Sequence, residues 1–261
     1  MTRPTPTPAP APTPTPTPAP TPAPRGLRVQ NLCVRFGGVT SLDDVTLELP
    51  SGTCGLIGPN GAGKTTFFNV VSGFVTPLAG RVLVDGEDIS AMPTHRRARW
   101  GVRRTFQTEQ AIASLSVFDN VLTVYEHSGG PRNGSRDAVM TALEIAQLDG
   151  LADRPVGTLG AGERRFVEIA RAVVGTPRLI LLDEPAAGLP DEETARLAAA
   201  IVSLPARVSA TVVLVDHDMS LVQTCCSVIA VLDFGRLIAC GATAEVLREP
   251  AVRAAYLGDV E

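Results

Sequence analysis

Lysine is almost missing from this chain. Lys64 stands alone against 22 arginines in 261 residues. Aromatic residues are also scarce, at 4%, which leaves little material for a base-stacking surface. No sign of charge dominates, because 27 acidic side chains face 23 basic ones for a net charge of −4. That balance excludes a global field able to recruit nucleic acid or an anionic membrane. Apolar runs such as Leu179–Leu182 and Val228–Leu232 fall far short of the roughly 20 residues that span a bilayer. A membrane role therefore has to come through a partner. The five cysteines are odd in number and show no CxxC spacing, so they read as small apolar residues kept reduced. Cys225 and Cys226 are adjacent, but no histidine lies near them in an apolar stretch, which argues against a metal or redox pair.

From Pro4 to Pro24 proline alternates with threonine and alanine. This stretch has neither the charged start nor the apolar run of a secretory signal. Residues 1–25 are expected to form a solvated, polyproline-like tail outside the fold. From Leu27 the pattern turns regular. Leu27–Val34 and Val45–Leu49 alternate like strands of a partly exposed antiparallel sheet. Cys54–Ile57, Arg81–Val84, Leu179–Asp183, Thr211–Val215 and Val228–Leu232 read as further strands. Helices are expected from Lys64, over Val117–Tyr125, Arg136–Leu148, Arg164–Val174, Glu192–Leu204 and Met219–Cys225. Alternation of helices with buried apolar strands predicts an α/β fold around a parallel sheet. An antiparallel β subdomain is expected at the N-terminal side of residues 26–258, and a helical subdomain over about 92–175. No internal repeat is visible.

The strongest local signal is Gly58–Pro59–Asn60–Gly61–Ala62–Gly63–Lys64–Thr65, a P-loop with a strand before it and a helix after it. Backbone N–H groups have to wrap phosphates closely, and glycines at 58, 61 and 63 permit this by lacking side chains. The following helix offers its unsatisfied N–H groups and positive dipole end to the same oxygens. Lys64 adds a compact charge, and the Thr65 hydroxyl is a Mg²⁺ ligand type. A chain that writes arginine everywhere else keeps lysine at the one place where a planar guanidinium does not fit. The second signal is Leu179–Ile180–Leu181–Leu182–Asp183–Glu184, a buried strand that delivers two carboxylates at its C-terminal end, where α/β sheets bind ligands. Asp183 is suited to hold Mg²⁺ and Glu184 to orient and deprotonate an attacking water. Arg96, Arg97, Arg99, Arg103 and Arg104 surround a single aromatic, Trp100. They read as a solvated helix face rather than a nucleic-acid patch.

Leu159–Gly160–Ala161–Gly162–Glu163 precedes the helix at Arg164 and lies twenty residues before Asp183 (183 − 163 = 20). With this element the chain resembles the ATP-binding cassette family, and the resemblance covers residues 27 to 258. It implies that Phe36 stacks on adenine and that Thr66 joins the P-loop residues in binding nucleotide. It further implies that Gln107 senses Mg²⁺ and the attacking water, and that His217 contacts the γ-phosphate. Lys64, Gln107, Glu184 and His217 would be the catalytic set, with Thr65, Gln107 and Asp183 on the metal. Gly160, Ala161 and Gly162 would meet the nucleotide of a second ATPase subunit. Phe36–Gly37–Gly38, Phe74, Thr105–Phe106–Gln107, Ala186–Ala187–Gly188–Leu189 and Tyr256–Leu257–Gly258 resemble the branch that imports branched-chain amino acids. Urea and short-amide importers share that branch. The lipopolysaccharide exporter ATPase shares Gly162–Glu163–Arg164–Arg165.

The resemblance implies a peripheral ATPase on the cytoplasmic face of a membrane, using ATP and Mg²⁺. Its partners would be transmembrane permease subunits, a second ATPase subunit and, indirectly, an extracytoplasmic solute-binding protein. The loop after Gln107, around Thr108–Asn120, would grip the permease. Three residues depart from the family pattern. Gly160 stands where a serine usually offers its hydroxyl, Ala161 replaces a glycine, and Pro190 replaces Asp or Asn. Slow hydrolysis without a partner, or a nucleotide-gated module that barely turns over, are the consequences these departures raise.

Overall fold

The computed structural model describes residues 25–131 and 133–257, with the side chains of 256 and 257 set aside. The polyproline-like tail expected over 1–25 lies outside these residues except for Arg25. The glycine of the Tyr–Leu–Gly ending lies outside them as well.

Two sheets carry the fold. Strands β1 (Gly26–Phe36), β2 (Val39–Pro50), β4 (Ala79–Val84) and β5 (Glu87–Asp88) form an antiparallel sheet in the order β2-β1-β4-β5. The second sheet contains β3 (Thr53–Ile57), β6 (Val102–Arg104), β7 (Leu179–Asp183), β8 (Thr211–Val215), β9 (Val228–Asp233) and β10 (Arg236–Ala242). Its order is β10-β9-β3-β8-β7-β6. All neighbours in it run parallel except β9 and β10.

The parallel strands are buried on both faces, and successive side chains enter two different cores. Ile180, Leu182, Val212, Leu214, Ile229 and Val231 face one core. Their neighbours Leu179, Leu181, Val213, Val215, Ala230 and Leu232 face the other. A period of two with both faces apolar is why these strands read as continuous hydrophobic runs. The first core is closed by α3 (Val117–His127), α4 (Ser135–Ile145), α5 (Ala161–Val173), α6 (Asp191–Val208) and α7 (Met219–Cys225). The second is closed by the antiparallel sheet and α1 (Lys64–Ser72). Two short helices, α8 (Thr243–Val246) and α9 (Pro250–Leu257), follow β10. The thiols of Cys54, Cys225 and Cys226 are free and buried. Burial pushes Cys54 and Cys225 up to about 12, so neither holds the thiolate that redox chemistry requires.

The structure corrects the expected helical stretch in one place. Helix α2 (Thr94–Trp100) ends at Gly101, whose φ is +126°, and the chain then runs as β6 along β7. The main-chain oxygen of Gly101 accepts from both Arg178 and Leu179, which registers this edge strand. A three-residue strand with two arginines carries too little periodicity to be seen in sequence. The arginines are corrected with it. Arg96 and Arg99 are exposed, but Arg97, Arg103 and the Arg104 side chain are buried.

Arg97 shows why. Its guanidinium donates to Val70 O at 2.6 Å and Val71 O at 2.9 Å, and to Ser90 O and Met92 O at 2.8 and 2.7 Å. It thus caps the C-terminal end of α1, where Val70 O has the Gly73 N–H at 3.0 Å as a second donor and the last carbonyls lack intrahelical partners. Arg97→Met removes the guanidinium donor from four carbonyls, two of them in fully buried contacts, and should lower the unfolding free energy by about 3 kcal/mol. Urea denaturation beside Arg96→Met, which should change stability by no more than about 0.5 kcal/mol, checks this; equal effects would refute the capping role.

Candidate functional site

Sheet order decides where chemistry can occur. The parallel strands β3, β8, β7 and β6 are neighbours in that order and end on the same side. The P-loop leaves β3, His217 follows β8, Asp183 and Glu184 finish β7, and Gln107 lies three residues beyond β6. Four segments distant in sequence therefore open on one edge, where strand ends leave room for a ligand.

The P-loop is shaped by its glycines. Gly58 has φ +151°, and a Cβ there would lie 2.1 Å from the Leu232 carbonyl oxygen. Gly63 has φ +105°, and a Cβ would lie 2.7 Å from Ser41 O. Gly61 has φ +82° but faces open space. Two glycines thus let the loop press against its neighbours, while the third serves only the turn. The Gly235 N–H donates to Ala62 O at 3.0 Å, and the Gly235 carbonyl accepts from Asp43 N at 2.8 Å. The turn between β9 and β10 therefore clamps the P-loop to β2. Thr66 and Ser41 share a hydroxyl hydrogen bond of 2.7 Å.

Lys64 Nζ donates to Gly58 O at 2.6 Å and to Pro59 O at 2.9 Å. Burial pulls the pKa of its ammonium below the ordinary lysine value, while the Glu184 and Asp183 carboxylates act against that shift. The two acids are thus close enough to feel the lysine. Asp183 is 3% exposed. Its N–H donates to Thr105 Oγ1 at 3.1 Å, and its Oδ2 accepts from Arg104 Nη2 at 2.8 Å. Asp183 Oδ1 is buried without a hydrogen-bond partner.

Glu184 is half-buried at φ +48°, with its N–H bonded to Val215 O at 2.8 Å. A left-handed glutamate is strained by roughly 1–3 kcal/mol, and here it turns the chain sharply off the sheet. His217 is 75% exposed, its Nδ1 3.6 Å from Oδ1 of the buried Asp216. Asp216 is itself held by the Asp218 N–H at 3.0 Å. Gln107, Thr65 and Asn60 are exposed.

Two expected elements do not come from the ends of these parallel strands. Phe36 ends β1 in the antiparallel sheet and is 52% exposed. Gly160 and Ala161 are exposed at the start of α5, and Gly162 is buried against Glu193. The Gly160 N–H donates to the Glu163 carboxylate at 2.9 Å, and Arg164 pairs with Glu109 at 2.9 Å. Among the described residues no hydrogen bond joins this element to the P-loop.

Sequence reasoning missed Arg104 and the Phe234–Gly235 turn. Arg104 was hidden among neighbours of the same type. The turn carried a signal, a Phe–Gly pair ending an apolar strand, that needed β10 to be recognised.

A family model described as ABC transporter matches residues 42–187. Another, described as branched-chain amino acid ATP-binding cassette transporter, matches 236–261. The chain is 38% identical over 249 residues to the high-affinity branched-chain amino acid transport ATP-binding protein BraF of Pseudomonas aeruginosa, covering 89% of this chain and 98% of BraF. It is 37% identical over 236 residues to the lipopolysaccharide export system ATP-binding protein LptB of Escherichia coli, covering 89% and 97%. A crystal structure of an ATP-binding cassette of an ABC transporter in its ADP conformation superposes with a TM-score of 0.80 at 29% identity, covering 90% and 99%. The resemblance read from the sequence and the α/β fold it implied both hold. The chain belongs to the ATP-binding cassette family: it is a nucleotide-binding ATPase, the ATP-binding subunit of an ABC transporter, homologous to branched-chain amino acid transport ATPases.

Proposed function

We propose that this subunit drives an importer of branched-chain amino acids. The observation that carries this reading is the match of its C-terminal segment, residues 236–261, to the branched-chain cassette model, beside the full-length likeness to BraF. The comparable identity to LptB supports a second reading as an exporter ATPase. Reconstitution in lipid with its permease subunits separates the two. Leucine uptake dependent on ATP fits the importer, whereas extraction of lipopolysaccharide without amino-acid uptake would replace it.

Within the chain, the P-loop from Gly58 to Lys64, with Thr65 and Thr66, receives the phosphates, and Phe36 stacks on the adenine. The carbonyls now holding Lys64 are neutral acceptors, and charged phosphate oxygens make stronger partners for an ammonium. The residues present fit Mg²⁺: Asp183 keeps one bare, buried oxygen, and the Thr65 hydroxyl is exposed. Among the described residues no cluster of three His, Cys, Asp or Glu exists, so the rest of the ion's oxygen ligands would come from the nucleotide's phosphates and from water. Thr65, Gln107 and Asp183 would hold the ion, which when bound neutralises phosphate charge. Glu184 orients water and accepts its proton, and His217 holds the γ-phosphate from the neighbouring strand end.

Exposed Gly160 and Ala161, without a hydrogen bond to this chain's own P-loop among the described residues, suit the nucleotide of a second subunit. Closure of two subunits around ATP then acts on permeases through the segment Thr108–Asn120, a loop up to Ser116 whose last four residues begin α3. Ile112 on that loop and the nearby apolar residues Phe74 and Leu78 are exposed. A solute-binding protein would deliver cargo on the far side. Among the described residues no helix is long and apolar enough to cross a membrane, and attachment to a cytoplasmic membrane face would run through the permeases.

Glu184→Gln should cut Mg-dependent ATP turnover by roughly two to four orders of magnitude while nucleotide binding stays within about twofold. Phosphate release and calorimetric titration check this, and normal turnover would remove Glu184 from its role. The Gly160 backbone, at φ −65° and ψ 164°, suits any residue, and a Cβ there would meet only Glu163 Oε2 at 3.8 Å. Restoring a hydroxyl with Gly160→Ser in the Glu184→Gln background should strengthen ATP-driven dimerisation by about 1.5–3 kcal/mol. Sedimentation with and without ATP measures it, and an unchanged dimer constant would show that Gly160 does not face the partner's nucleotide.

A further inference from the structure

Arg104 closes β6 three residues before Gln107, and its guanidinium is tied in several directions at once. Nη2 donates to Asp183 Oδ2 at 2.8 Å, and Nη1 donates to Asn69 Oδ1 of α1 at 2.7 Å. The guanidinium carbon lies 5.5 Å from the Phe68 ring centroid and 5.0 Å from that of Phe106. Phe106 adjoins Gln107 and stands edge-on to Phe74 at 5.9 Å. Arginine and aspartate side chains are 6% and 3% exposed. A planar fork between two rings, bonded through both Nη atoms while its Nε is buried without a partner, cannot turn without breaking contacts to β7, to α1 and to Phe106.

The pairing is lopsided. A purely structural buried ion pair is expected to satisfy both carboxylate oxygens. Here Oδ2 is held, while Oδ1 of the same carboxylate is buried with no donor. We propose that Arg104 is a positioning residue of the nucleotide site. It clamps Asp183 to the P-loop helix through Asn69 and so presents the bare Oδ1 to the metal that accompanies the nucleotide. This rests on the reading of Asp183 as the metal-side carboxylate. It assigns to Arg104 the work of an outer-shell partner, which orients a ligand without touching the ion.

The test uses the full chain, Mn²⁺ as the probe and ADP as the nucleotide. Free Mn²⁺ is counted by electron paramagnetic resonance, ADP affinity is measured separately in EDTA, and melting temperature is recorded for every variant. Arg104→Met should weaken Mn²⁺ binding in the presence of ADP about tenfold and leave metal-free ADP binding within about twofold. Arg104→Lys, which keeps the charge but not the fork, should regain part of the loss; it carries the test alone, by a weakening of about threefold, if Arg104→Met does not fold. A folded arginine variant that binds Mn²⁺ as tightly as the wild type, whatever its melting temperature, overturns the inference. Asp183→Asn separates the two levels. If it weakens Mn²⁺ binding and the arginine variants do not, only the role of Arg104 falls; if it too leaves Mn²⁺ binding intact, the reading of Asp183 falls with it.

Discussion

The structure depends on a parallel sheet buried on both faces. With Ile180 and Leu182 in one core and Leu179 and Leu181 in the other, the middle of such a strand has no place for an unpaired polar group. Everything that must meet solvent or a ligand is pushed to the strand ends. Because β3, β8, β7 and β6 run parallel and side by side, their C-terminal ends share one edge. The P-loop, His217, Asp183 with Glu184, and Gln107 arrive there from four separate stretches of chain.

That edge concentrates charge, and three of its charged groups find partners within the fold. Lys64 turns to its own loop carbonyls, Arg104 to Asp183 and Asn69, and Asp216 to the Asp218 amide. These are the groups that phosphates would reorganise, and they differ in what they surrender. The carbonyls of Gly58 and Pro59 are neutral and yield to an anion at little cost. The ion pair at Asp183 is buried between aromatic rings and is expensive to break. Phosphate is therefore expected to displace the lysine contacts while the arginine contacts persist.

Much of this was legible in the sequence because the chemistry dictates residue types. A loop that touches phosphates has to carry glycines where Gly58 and Gly63 touch Leu232 O and Ser41 O, and buried parallel strands have to be continuously apolar. The solitary lysine marked its own site. What stayed hidden were interactions whose partners are far apart in sequence. Arg97 and Arg104 look like Arg96 and Arg99 until α1 and β7 are folded against them. β6 is too short to show a period, and it takes its register from the Gly101 carbonyl and from β7. The clamp of Gly235 on Ala62 joins residues that no local pattern connects.

On the proposed reading, the Lys64 ammonium exchanges the carbonyls of Gly58 and Pro59 for nucleotide phosphates at this edge. Calorimetric titration of the full chain with ADP, for the wild type and for Lys64→Ala, tests it most directly. The wild type should bind one nucleotide per chain, and the variant should bind it at least about thirtyfold more weakly, equivalent to about 2 kcal/mol of charge-assisted hydrogen bonding. An affinity in Lys64→Ala equal to that of the wild type would contradict it.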